Sequence, residues 1–153
     1  GPIERNGGLV NKFTGDGLLA VFGAPLSQGR AADATAAVAA ARSIRDGIEA
    51  LNGALAGEGQ PSVQLRLGLH SGWVLAGSVG SRDRWEYGVI GDAVNCAARI
   101  EGLPGPPTQG CRILVSGATR TLAGGAMQGC QGGRPWGPRR LSGRLQDEEI
   151  WEL

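Results

Sequence analysis

Leu9-Val10-Asn11-Lys12-Phe13, Thr14-Gly15-Asp16-Gly17, Leu18-Leu19-Ala20-Val21-Phe22: two apolar runs flank an aspartate set between glycines, the pattern of a β-hairpin with a tight turn. Asp16 falls at the hairpin tip, with Lys12 close to it. Gly23-Ala24-Pro25 ends the second strand. Beyond it, Ala34, Ala37, Val38, Ala41, Ile44, Ile48 and Leu51 recur at helical spacing, which predicts an amphipathic helix over Arg30 to Leu51 with a small-residue face suited to close packing on a sheet.

Gly53 to Ser62 reads as a loop. Val63 to Leu69 alternates apolar and polar residues as a half-buried strand does. Gly72 turns the chain and Trp73 to Val79 answers as a strand, so these two are expected to pair as a second hairpin. Trp85 to Ile90 is a short strand, Gly91-Asp92 opens a helix through Leu103, and Pro104 to Gly110 is a proline-rich loop. Arg112 to Val115 is a strand, followed by Ser116 as the N-cap of a short helix ending near Gly124. The Gly-rich stretch from Gly124 to Pro138 is expected to be mobile, and Leu141 to Leu153 closes with one or two strands. Helices interspersed with mostly antiparallel strands predict an α+β domain over residues 1–153, its helices packed over one face of the sheet.

The chain has 153 residues, 41% hydrophobic and 19% charged, enough to bury a core without staples and too apolar for a disordered segment. Fifteen basic residues against fourteen acidic give +1, so no polybasic surface supports nucleic-acid binding. No apolar run reaches the roughly 20 residues of a membrane span. Cys96, Cys111 and Cys130 are odd in number and without CxxC spacing, which implies neither a disulfide framework nor a zinc site and suits a reducing, cytoplasmic compartment. Lys12 is the only lysine.

Three segments, in this order and spacing, resemble the catalytic domain of the class III nucleotidyl cyclases, the adenylate and guanylate cyclases. They are Asn11 to Gly17, His70-Ser71-Gly72 with Gly77-Ser78-Val79-Gly80, and Glu86-Tyr87-Gly88-Val89-Ile90-Gly91-Asp92-Ala93-Val94-Asn95-Cys96-Ala97-Ala98-Arg99. The last is the most specific. The resemblance, of bacterial type, runs from about Ile3 to Leu153 and implies a ferredoxin-like, palm-type fold.

It also implies a reaction: the ribose 3′-oxygen of a nucleoside triphosphate attacks the α-phosphorus in line, yielding the 3′,5′-cyclic monophosphate and pyrophosphate, with two Mg²⁺ or Mn²⁺ ions. Asp16 matches the second metal-binding carboxylate. The first would lie about forty residues earlier, and the chain starts fifteen residues before Asp16. It therefore reads as N-terminally truncated, Gly1-Pro2 as a processing scar or fragment start, and the 153 residues alone as inactive. Asn95 and Arg99 share one helix face; in the family the asparagine orients the ribose and the arginine stabilises charge on pentavalent phosphorus. Gly91 is expected to let backbone approach the nucleotide.

Lys12 matches the purine-selecting position, where lysine favours ATP. Its family partner is usually aspartate or threonine, but Gly88 stands there, leaving base selection to Lys12, backbone around Val89, and water. Arg139-Arg140-Leu141-Ser142-Gly143-Arg144 resembles the triphosphate-binding segment, with Arg144 or Arg140 replacing the usual lysine. His70 is expected to be structural, Cys96 to pack as a small hydrophobe, and Trp73, Trp85, Trp136 and Trp151 to serve core or interface. The resemblance implies an adenylate cyclase that binds ATP and works as a homodimer with shared active sites, beneath an upstream regulatory domain. A guanylate or dual-specificity cyclase, and an inactive nucleotide-binding or dimerisation module, remain the alternatives.

Overall fold

In a computed structural model, residues 1–81, 84–107, 110–127 and 132–153 are described, without the side chains of residues 79, 81, 84 and 85. Cys130 and the Trp85 side chain lie outside the described residues. A short helix α1 (Pro2–Arg5) leads into the hairpin β1 (Leu9–Thr14) and β2 (Gly17–Val21). Thr14 pairs with Gly17, leaving Gly15-Asp16 as a two-residue turn. Gly15 has φ +65°, the conformation that makes glycine the residue for the first corner of such a turn.

Helix α2 (Arg30–Gly57) runs six residues beyond the expected Leu51. Within its last turns, Asn52 Nδ2 donates to the Val63 carbonyl at 2.9 Å and Asn52 Oδ1 accepts from the Val63 amide at 2.7 Å, clipping the following loop back onto the helix.

The main sheet contains β3 (Leu65–Leu69), β6 (Cys111–Ser116), β8 (Asp147–Glu152) and β7 (Arg134–Arg140), in that order, and two further strands, β4 (Leu75–Ser81) and β5 (Arg84–Ile90), form a ribbon of their own. The expected hairpin between residues 63–69 and 73–79 is therefore a mispairing. Instead β3 pairs with β6 in parallel, and β4 pairs with β5, with Ser81 opposite Arg84 across a two-residue connection. Alternation alone marks a strand but not its partner. Leu67 and Leu69 pack into the core with α2 and with Ile113 and Val115 of β6, so burying them favours β6 as the partner.

Helices cover both faces of the sheet, not one. Ile113 and Val115 of β6 pack with Ala34, Val38 and Ala41 of α2 and with Ala123 of α4 (Gly117–Ala123). Leu114, between them in sequence, packs on the opposite face with Cys96 and Ile100 of α3 (Asp92–Glu101). Residues 112–116 are accordingly buried without a break, as befits a strand sandwiched between layers. Ser116 caps α4 as expected, its Oγ accepting from the Thr119 amide at 3.2 Å.

The Gly-rich stretch expected to be mobile contains a 3₁₀ turn (Gly124–Met127) and most of β7, which runs on to Arg140; residues 128–131 lie outside the described residues. Pro135 and Pro138 are accommodated because β7 is an edge strand, where missing amides break no ladder. Trp136 donates to Glu152 at 2.8 Å and lies 5.4 Å from the Arg112 guanidinium. Trp151 lies beneath Arg120 at 3.7 Å, while Trp73 is 86% exposed.

Gly68 joins the layers. A Cβ there would sit 2.4 Å from both the Ala97 carbonyl oxygen and the Glu101 nitrogen of α3, backbone atoms that cannot rotate aside. Gly68→Ala should push α3 off β3 and lower the unfolding free energy by about 1–3 kcal/mol, read as a drop in the urea midpoint at unchanged slope.

Candidate active site

The β1–β2 hairpin is not hydrogen-bonded to the main sheet. Between it, α2, β3 and α3 runs a trough of about 1560 Å³ whose lining includes Lys12, Asp16, Val89 and Asn95. The hairpin is tied to the β4–β5 ribbon by a long-range bond, Asn11 Nδ2 donating to the Tyr87 carbonyl at 2.6 Å. Asn11 and Tyr87 each precede a residue of interest, so this bond sets the strand of Lys12 against the strand of Gly88 and Val89. Lys12 and Asp16 are exposed, and Asp16 takes part in no ion pair or hydrogen bond among the described residues.

On α3, Asn95 is exposed and Arg99 half-buried, while Cys96 and Ile100 face the core. The helix starts at Gly91, where a Cβ would lie 2.8 Å from the Trp73 carbonyl oxygen. The close approach that requires glycine here is thus to the Trp73–Val74 backbone.

Arg99 lies against the β7–β8 loop: a Cβ on Gly143 would lie 3.4 Å from Arg99 Nη2. Arg144 itself turns inward. Its Nη1 donates to Cys96 Sγ at 3.1 Å and lies 3.6 Å from Glu148, and its Nη2 lies 3.5 Å from Asp92. The Cys96 contact raises the guanidinium's already high pKa further. Arg140 pairs with Asp147 at 2.7 Å and donates to the Arg144 and Leu145 carbonyls, latching the same loop. Behind Arg144 stands His70, which burial pushes below its ordinary pKa against the opposing pull of Glu148 and Asp92. Burial likewise raises the Cys96 thiol.

The family model of the adenylate and guanylate cyclase catalytic domain matches residues 7–130. The chain belongs to this family. It is 31% identical over 151 residues to adenylate cyclase 1 of Rhizobium meliloti, covering 99% of this chain and 22% of that protein. Among solved structures, the adenylyl cyclase CyaB from P. aeruginosa is similar with a TM-score of 0.83 at 27% identity, over 99% of this chain and 74% of that one. The guanylyl cyclase Cya2 is similar with a TM-score of 0.76 at 32% identity, over 99% and 72%. The chain spans about a fifth of the length of the curated relatives it matches.

In this cyclase domain, Lys12, Asp16, Val89 and Asn95 share the trough, whereas Arg99, Gly88 and Arg144 are not part of its lining. An exposed, unengaged carboxylate on a turn is a hard oxygen donor of the kind Mg²⁺ and Mn²⁺ take, so Asp16 fits one such position. Among the described residues, the one group of three or more ligating side chains lies elsewhere, at His70, Cys96 and Glu148. No helix of the described residues is long and apolar enough to cross a membrane.

Sequence reasoning missed Asn11 and Gly68. Asn11 adjoins Lys12 in a polar pair between apolar residues, but nothing local names Tyr87 as its partner. Asn11→Ala should remove the hairpin's tether: amide exchange across residues 9–21 should accelerate while β6 stays protected, at a cost of about 1 kcal/mol.

Proposed function

We propose that the chain is the catalytic domain of an adenylate cyclase that converts ATP to 3′,5′-cyclic AMP and pyrophosphate in a signalling protein. The observation that carries this reading is Lys12, exposed on the trough wall beside the Asn11–Tyr87 tether. Its ammonium can donate to adenine N1, an acceptor, while the protonated N1 of guanine would be repelled. Gly88 contributes no side-chain acceptor, so the Val89 backbone and water complete the base site. Asn95 orients the ribose. Arg99, a planar cation, answers the negative charge that develops at phosphorus. Arg144 would serve the triphosphate after leaving its inward contacts, with Arg140 as the alternative.

Asp16 is the residue to hold Mg²⁺ or Mn²⁺, which when bound would supply Lewis acidity toward the 3′-hydroxyl and the triphosphate. A guanylate or dual-specificity cyclase is the second reading, favoured by Gly88 where an adenine-amine acceptor is usual, and compatible with the likeness to Cya2.

A homodimer with two shared sites fits the surface. Phe13 and Leu18 are 77% and 47% exposed and pair across the first hairpin; Leu75 and Ile90 are 76% and 60% exposed and pair across the ribbon. Apolar residues clustered on two exposed ribbons call for a covering partner. A second copy in C2 symmetry would cover them and complete each site with residues of both protomers.

In the full-length protein, Lys12→Glu should lower ATP turnover and relatively improve GTP, shifting the ratio of kcat/KM values by roughly ten- to a hundredfold, the reach of one good hydrogen bond. Wild-type protein that turns over GTP faster than ATP would overturn the adenine assignment.

Each shared site would take its metal carboxylate Asp16 from one protomer and Lys12, Asn95 and Arg99 from its partner, across the interface and not within one trough, so Asp16→Ala and Asn95→Ala homodimers should each be nearly inactive. Mixed under conditions of random exchange, they should regain about a quarter of wild-type activity, because half the dimers are mixed and each mixed dimer has one intact site. No recovery, with exchange confirmed by a tag pull-down, would refute the shared site.

A further inference from the structure

His70 at the end of β3, Cys96 inside α3 and Glu148 on β8 come from three separate elements, yet their ligating atoms all lie within 4.8 Å of one another. Each is turned into the fold: Cys96 is fully buried, the Glu148 side chain is 18% exposed, and His70 Nδ1 is buried with no hydrogen-bond partner. A buried imidazole nitrogen without a partner carries an uncompensated desolvation cost, and such groups call for an explanation. The Arg144 guanidinium lies against two members of this cluster, Cys96 Sγ at 3.1 Å and Glu148 at 3.6 Å, and 3.5 Å from Asp92. The pocket is therefore already one that attracts a cation.

We propose that His70, Cys96 and Glu148 form a Zn²⁺ site, with the Arg144 guanidinium as the competing occupant. Tetrahedral zinc sets its sulfur, nitrogen and oxygen ligands about 3.3–3.6 Å apart, given bond lengths of roughly 2.0–2.3 Å. Small side-chain rotations close the cluster to that spacing. One thiolate, one imidazole and one carboxylate with a fourth position left for water is a zinc donor set; Mg²⁺ and Ca²⁺ require oxygen alone. The site is thus separate in place and chemistry from Asp16. Burial lowers the imidazole's pKa, which favours the neutral form with its lone pair available.

On binding, the Cys96 S–H bond breaks, its electron pair goes to the metal and its proton to water; no oxidation state changes. Arg144 leaves still protonated, its route to solvent open because it sits on the loop between β7 and β8 beside Leu145, which is 95% exposed. Zinc and the inward position of Arg144 are mutually exclusive, so the metal would set which way this loop arginine points.

The test titrates the 153-residue protein with Co²⁺ as a spectroscopic stand-in, then displaces it with Zn²⁺. A thiolate-to-cobalt charge-transfer band that saturates at one equivalent and is erased by Zn²⁺ is expected. The band should persist in a Cys111→Ala/Cys130→Ala background and vanish in Cys96→Ser. His70→Gln and Glu148→Gln should each weaken Co²⁺ binding about tenfold or more, while Arg144→Ala should tighten it. Should Cys96→Ser fail to fold, judged by circular dichroism, the His70 and Glu148 variants decide. A folded protein with no band at saturating Co²⁺, a band lost with Cys111 and Cys130, or unchanged affinity in both His70→Gln and Glu148→Gln would overturn the site.

Discussion

Backbone meets backbone where α3 crosses β3: at Gly68 the Ala97 carbonyl and the Glu101 amide occupy the space in which a side chain would begin. This contact fixes the depth at which α3 lies on the sheet, and α3 carries Asn95 and Arg99, the proposed ribose- and phosphorus-facing groups. With Cys96 and Ile100 buried beneath it against Leu114, Leu141 and Ile150, the helix can present Asn95 outward in only one rotation. The opposite layer is set just as firmly, by the alanine face of α2 closing on Ile113 and Val115. A sheet clamped from both sides gives the site a rigid floor.

The hairpin that carries Lys12 and Asp16 is held more lightly. It shares no strand ladder with the main sheet and depends on Asn11 reaching Tyr87 and on contacts with α1. Lys12 and Asp16, the proposed purine- and metal-binding groups, thus ride on an element that can adjust relative to the helix bearing Asn95 and Arg99. Local stability of this graded kind is common where ligands enter.

Charge is arranged to organise loops. The Arg66–Glu101 and Arg140–Asp147 pairs, at 2.9 and 2.7 Å, are substantially exposed and contribute little to stability. Their effect is geometric: the first joins β3 to α3, the second braces the turn that presents Arg144. Arg112 is 5% exposed and donates to the Leu103 and Pro106 carbonyls while lying against Trp136, which anchors the proline-rich loop. Arg144 turns inward, its partners Cys96 and Glu148 lying largely inside the fold.

Local pattern was enough for much of this. Two apolar runs around Gly15-Asp16 determine a hairpin, because the turn chemistry is contained in four residues; the alanine periodicity determines α2; Ser116 determines the start of α4. The motif from Glu86 to Arg99 carried the family because both residue types and spacings are written in one contiguous stretch. Pairing was different. Alternation in residues 65–69 has no term for a partner forty-six residues on, so the parallel alignment with β6 and the covering of both sheet faces were decided by which apolar surfaces could be buried together. The Gly-rich sequence from Gly124 to Pro138 reads as a mobile stretch, whereas the edge position lets β7 form there with its prolines. Asn11 with Tyr87, Gly68 with Ala97, and His70 with Cys96 and Glu148 are likewise products of the tertiary structure, since each joins segments whose own sequence gives no reason to meet.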